Sequence, residues 1–172
     1  ADTSGHGFAD YEQLWQWSID DRAAFWSTLW RFTGVIASRP WDAVLDDPDA
    51  MPGARWFRGA RLNFAENLLR YRDDHPAIVF RGEDGSERRL SYQQLYRRSA
   101  ALAAALHKLG IGPGDRVAAI TPNIPEAVIG MLATSWLGAV WSSCSPDFGV
   151  DGILDRFGQI EPRLLIAADG YR

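Results

Sequence analysis

The apolar positions of this chain change their period part-way along. From Phe8 to about Phe57 they recur at helical spacing, are mostly aromatic, and show no two-residue alternation. Asp10 stands as the N-cap of a short helix carrying Tyr11, Leu14 and Trp15. Ser18 with Asp21 reads as a variant capping box opening a second helix. Its Phe25, Trp26, Leu29 and Trp30 form an i, i+1, i+4, i+5 stripe. Arg39-Pro40 and Asp46-Asp47-Pro48-Asp49 read as loops. Asn63, with Glu66 at N3, then predicts a capped helix that buries Phe64, Leu68 and Leu69 and exposes Arg70 and Arg72.

Strand and helix patterns alternate after that point. Ala77–Phe80 and Arg88–Leu90 flank Gly82-Glu83-Asp84-Gly85, a hairpin. Ser91 and Gln94 form a capping box for a helix with the stripe Leu95, Leu102, Leu106 and Leu109, closed by Gly110. Arg116–Ile120 is a short apolar strand. Pro125 and Glu126 open the next helix, which Gly138 closes. Ala139–Ser142 is a strand, and Ile153, Leu154, Phe157 and Ile160 are the stripe of a helix stopped by Pro162. Leu164–Ala168 is the last strand. This rhythm predicts an α/β fold: a partial parallel sheet with flanking helices, preceded by a helical, Trp-rich extension. The expected domains are 1–57, the extension, and 58–172, the first and incomplete part of an α/β domain.

Composition narrows the function classes. With 172 residues, a net charge of -4, 47% hydrophobic and 23% charged residues, the chain is an ordinary globular one without a basic nucleic-acid footprint. The pairs Arg88-Arg89 and Arg97-Arg98 are local solvated faces. No apolar run reaches the roughly 20 residues of a membrane span, so no membrane partner is expected. The lone Cys144 has no internal partner and no histidine near it in sequence, and reads as a buried or loop thiol. One cysteine and three scattered histidines supply no metal spacing, so no metal ligand is expected in this stretch. Ala1 to Gly7 lack a starting Met and an apolar core, and are expected to be an arbitrary boundary or a processed end rather than a signal peptide.

Six of the eight tryptophans lie between Trp15 and Trp56. Such a surface can stack on sugars or single-stranded bases, but helical spacing argues that the rings pack on a neighbouring domain. In open α/β sheets, ligands bind at the carboxyl ends of strands. Three loops qualify: Thr121–Pro125, Ser142–Gly149 and Asp169–Arg172. The second offers Ser142, Ser143 and Ser145 hydroxyls and backbone N–H groups that can cradle a phosphate or nucleotide edge. Equally, it can be a turn whose serines satisfy their own backbone. No dinucleotide or P-loop glycine pattern and no nucleophile elbow is present, and no catalytic residue stands out.

The stretch Trp141-Ser142-Ser143-Cys144-Ser145-Pro146-Asp147-Phe148-Gly149, the Pro122-Asn123-x-x-Glu126 helix start and the Leu62-Asn63-x-x-x-Asn67-Leu68 element resemble the acyl-adenylate-forming (AMP-binding) superfamily. Within it they are most similar to the acetoacetyl-CoA synthetase branch of the acyl-CoA synthetases. The resemblance implies the N-terminal portion of a ligase that activates acetoacetate with ATP and Mg2+ to an acyl-adenylate, then transfers the acyl group to CoA. It places the triphosphate loop, the metal carboxylate and the catalytic lysine downstream, so this stretch alone is expected to be inactive. For the parent enzyme the resemblance implies a cytoplasmic location. It also implies two cofactor-binding contacts. Ser142 and Ser143 occupy the position of a Gly-Gly that lies against the CoA adenine in related acetyl-CoA synthetases. Arg172 falls near an arginine that holds the CoA phosphates, as a planar guanidinium suits. On the residues alone two other readings stay open. One is a stand-alone, non-catalytic nucleotide- or CoA-binding module; the other is a structural domain docking through its Trp-rich face.

Overall fold

A computed structural model describes residues 7–170, so Arg172 lies outside the described residues. The chain divides into two compact units, Ala1–Leu62 and Asn63–Arg172.

The first unit opens with α1, Tyr11–Asp20, capped as its sequence predicts: the Asp10 carboxylate accepts from the Gln13 N–H. The second cap is displaced from the sequence expectation. Ser18 lies inside α1, where its hydroxyl donates to the Trp15 carbonyl at 2.6 Å. Asp21 instead caps α2, Arg22–Thr33, by accepting from Ala24 N–H. An aspartate one residue before the helix competes better for its free amides than a serine that is already bonded back to its own turn. Gly34, at φ 61°, ends α2 in the left-handed conformation.

The unit is not wholly helical. A two-stranded antiparallel ribbon joins β1, Ala43–Asp46, to β2, Arg55–Arg58. Neither strand shows clean alternation, because all four β1 positions are half-buried. The ribbon is held at its polar positions, where Arg58 and Arg55 reach Asp46 and Asp47. The tryptophans pack mainly on one another. Trp30, Trp41 and Phe57 form a triangle with centroids 4.6 to 5.5 Å apart, and Trp17, Phe25, Trp26 and Trp56 form a second run packed edge to face. Rings in such geometry add about 0.5–1.5 kcal/mol per pair beyond burial. They give this short unit the core that its few aliphatic residues cannot.

The second unit starts at α3, Phe64–Leu68, capped by Asn63. The hairpin follows as β3, Pro76–Arg81, and β4, Glu87–Ser91, and leads into α4, Tyr92–Lys108, through the complete Ser91–Gln94 capping box. β5, Arg116–Ile120, α5, Pro125–Trp136, β6, Val140–Cys144, a single 3-10 turn over Pro146–Phe148, α6, Gly149–Gly158, and β7, Leu164–Ala167, complete it. The last three strands form a parallel sheet in the order β6-β5-β7. Parallel sheets need both faces covered. Val117, with Leu164 and Ile166, packs against Ala103, Leu106 and Ala133 of α4 and α5. Ala118 and Cys144 pack against Phe157 and Ile153 of α6. Cys144 is buried, as a thiol among apolar neighbours.

Two apolar positions of the expected α3 face come out differently. Ala65 and Leu69 are buried, whereas Phe64 and Leu68 are exposed. The helix is five residues long, and the small Ala65 lets its backbone lie close on the core. The larger side chains are thereby turned outward. Leu109, expected in the α4 stripe, is exposed as the helix C-cap, and Ser99 and Ala103 take buried places on that face.

Ser99 and Thr134 are fully buried, and their hydroxyls have no hydrogen-bond partner. A buried polar atom without a partner costs about 1–3 kcal/mol of desolvation. Thr134→Val keeps the shape and removes that cost, so it should raise stability by about 1 kcal/mol, read as a higher urea midpoint at unchanged slope. Among the described residues no helix is long and apolar enough to cross a membrane.

Candidate functional site

The carboxyl ends of β5, β6 and β7 lie side by side, and the connections that follow β5 and β6 emerge there. Thr121 N–H donates to the Cys144 carbonyl, and Ala168 N–H to the Ile120 carbonyl, so the two flanking strands are tied to β5 up to their last residues. After β5, Pro122 to Ile124 turn the chain into α5. Pro125 sits at the first helical position, where no N–H is needed. Glu126 behind it makes a forked ion pair with Arg88, 2.8 and 3.0 Å, fastening the hairpin to the start of α5. Burial, the largest single influence, raises the Glu126 carboxyl, but the Arg88 hydrogen bonds, its own backbone N–H and the charges of Arg88 and Arg98 together outweigh it and hold the carboxyl below its ordinary value.

β6 runs two residues further than its composition suggests. Ser142 and Ser143 are not in a loop: they pair with Ala118 and Ala119 of β5. Serine is a weak strand former, but a neighbouring strand with free bonding groups overrides that preference. Two consequences follow for their chemistry. Register places Ser142 on the α6 face, beside Ala118, and Ser143 on the α5 face, beside Ala119. Their side chains therefore point to opposite sides of the sheet. Val140 N–H donates to Asp115 O, and Cys144 O accepts from Thr121 N–H. By the two-residue alternation of a parallel ladder, Ser142 turns its amide and carbonyl to β5, and Ser143 turns its own to the open edge of β6.

The loop proper is Ser145–Gly149. The Ser145 hydroxyl donates to Asp147 Oδ2 at 2.6 Å and accepts from Asp147 N–H at 3.3 Å, so this serine satisfies its own turn. Gly149, at φ 64°, ψ 174°, makes the corner into α6, and a side chain there would be strained although the space is open. Arg156 reaches back along α6, donates to the Gly152 carbonyl at 3.0 Å and lies 3.9 Å from the Phe148 ring centroid. The half-exposed Phe148 is thus held in one place by a cation on its face. Sequence reasoning missed this pair. Its signal was available in the i, i+8 offset, two helical turns from Phe148 to Arg156. Among the described residues, no group of three or more His, Cys, Asp or Glu side chains could hold a metal ion.

The three-stranded parallel sheet and the Ser-Pro-Asp-Phe-Gly corner recur in known proteins. A model described as "AMP-binding enzyme" matches residues 64–171, and one described as "Acetyl-coenzyme A synthetase N-terminus" matches residues 11–68. The chain belongs to the AMP-binding enzyme family. Within that family it is 52% identical, over 167 residues, to the acetoacetyl-coenzyme A synthetase of Rhizobium meliloti, covering 97% of this chain and 26% of that protein. The acetoacetyl-CoA synthetase of Rattus norvegicus is 40% identical over 168 residues, covering 96% of this chain and 25% of that one. The malonamoyl-CoA synthetase vrtB of Penicillium aethiopicum is 43% identical over 168 residues, with 94% and 23% covered. The solved acetoacetyl-CoA synthetase from Streptomyces lividans superposes with a TM-score of 0.92 at 44% identity, over 99% of this chain and 27% of that one. The chain spans about a quarter of the length of these AMP-binding relatives.

Proposed function

We propose that this chain is the N-terminal portion of an acid–CoA ligase that converts acetoacetate, ATP and CoA to acetoacetyl-CoA, AMP and pyrophosphate. The observation that carries the reading is the match to acetoacetyl-CoA synthetases over nearly the whole chain, in sequence and in backbone. In the first step the acid's carboxylate attacks the α-phosphorus of ATP and displaces pyrophosphate. In the second the CoA thiol attacks the acyl carbon and displaces AMP. Mg2+, the triphosphate and the acyl group are held by residues beyond this stretch. The malonamoyl-CoA synthetase relative supports that division: its name specifies another acyl group although this part of the chain is 43% identical. Both names describe an acyl group with a second carbonyl two carbons from the thioester, which supports a β-carbonyl acid as the substrate class. The whole protein is cytoplasmic on this reading.

CoA is placed at the carboxyl end of β6, with its adenine beside Ser142 and Ser143 and its phosphates near Arg172. The opposite orientation of the two serines makes their contributions unequal. Ser143 is exposed, with its backbone groups at the open edge, whereas Ser142 is half-buried with its backbone turned to β5. Ser143 is the more exposed of the two, and alanine removes its hydroxyl while leaving those backbone groups in place, so Ser143→Ala should raise the KM for CoA about three- to tenfold in the full-length protein, the loss of about one hydrogen bond. Ser142→Ala should leave it within about twofold. Arg172→Ala should weaken CoA about tenfold and spare adenylate formation, since a guanidinium–phosphate bond is worth about 1.5 kcal/mol or more. The overall reading is tested by thioester formation from CoA, ATP and a set of acids by the full-length protein. Acetoacetate should be preferred over acetate; a protein that forms no thioester with any short acid would refute it.

A further inference from the structure

We draw no further inference here: the strongest candidate, the arginine-lined concavity that Arg88, Arg89 and Arg98 form between β4, α4 and the start of α5, carries nothing because Arg88 and Arg89 are already paired with Glu126 and Glu87 and nothing in the structure shows what fills or covers it.

Discussion

Asn63→Asp should destabilise this protein by roughly 2–4 kcal/mol, more than Asn63→Ala, although aspartate is the better N-cap of the two. The reason is that the Asn63 amide works in two directions. Its oxygen accepts the Glu66 N–H at 3.0 Å and caps α3. Its nitrogen donates to the Ser135 and Trp136 carbonyls, at 3.0 and 3.1 Å, at the end of α5. Asn67 then donates back to the Asn63 carbonyl at 3.0 Å, so the Leu-Asn-x-x-x-Asn-Leu element is a clamp between two helices. Alanine loses the cap, about 1 kcal/mol, together with two neutral bonds at a half-buried site. Aspartate keeps the cap but sets an anion about 3 Å from two carbonyl oxygens, at the negative end of the α5 dipole. That environment raises the new carboxyl above its unfolded value. Its penalty is full at pH 7 and is relieved as pH falls through the raised value, because the protonated acid can donate to a carbonyl. Urea midpoints of the three proteins at pH 7 and pH 4 measure this. Equal stability of the Asp variant and the parent at pH 7 would mean the clamp does not form.

The second large effect concerns Gly130, in the middle of α5. Replacing a helix-interior glycine by alanine ordinarily stabilises by about 1 kcal/mol. Here a Cβ would stand 2.6 Å from the Trp141 Cη2 and 3.0 Å from its Cζ3. The indole is rigid and packed into the α5 side of the sheet, so it must move as a unit. Overpacking of that kind costs about 1–3 kcal/mol, which reverses the usual sign. Gly158, at the end of α6, has nothing within 4 Å of its Cβ position, so Gly158→Ala is the control and should be neutral or mildly stabilising. Trp141→Leu should suppress the defect. A double-mutant cycle in which Gly130→Ala is destabilising with Trp141 and stabilising with Leu would localise the cost to this contact. Because Trp141 precedes Ser142 and Ser143 in β6, the same substitution should also disturb the strand that carries the proposed CoA contacts.

Much of the second unit was legible in the sequence because there local and tertiary preferences agree. The Ser91–Gln94 box, Pro125 at the start of α5, and Gly110 and Gly138 at φ 81° and 70° after α4 and α5 are local rules that the packing has no reason to override. Where the two conflict, local reading went wrong. The serines of β6 look like loop residues until β5 bonds the strand at Ser142 and Cys144 and carries Ser143 between them. The apolar residues of α3 look buried until Ala65 lets the helix sit close and turns Phe64 and Leu68 away. In the first unit the ribbon was hidden because its strands are held by aromatic edges and by Asp–Arg pairs, which leave no two-residue pattern. The candidate site was legible as a place, the carboxyl end of the parallel strands, but not as a geometry. One residue of register decides which serine faces which side, and no composition carries that information.

Adenylate formation is the step that defines the proposed enzyme. Its direct measure is acetoacetate-dependent exchange of labelled pyrophosphate into ATP by the full-length protein, without CoA. The account predicts rapid exchange that requires both acetoacetate and Mg2+, and none from the 172-residue chain on its own. A full-length protein that shows no acid-dependent exchange, or an isolated chain that shows it, would contradict the account.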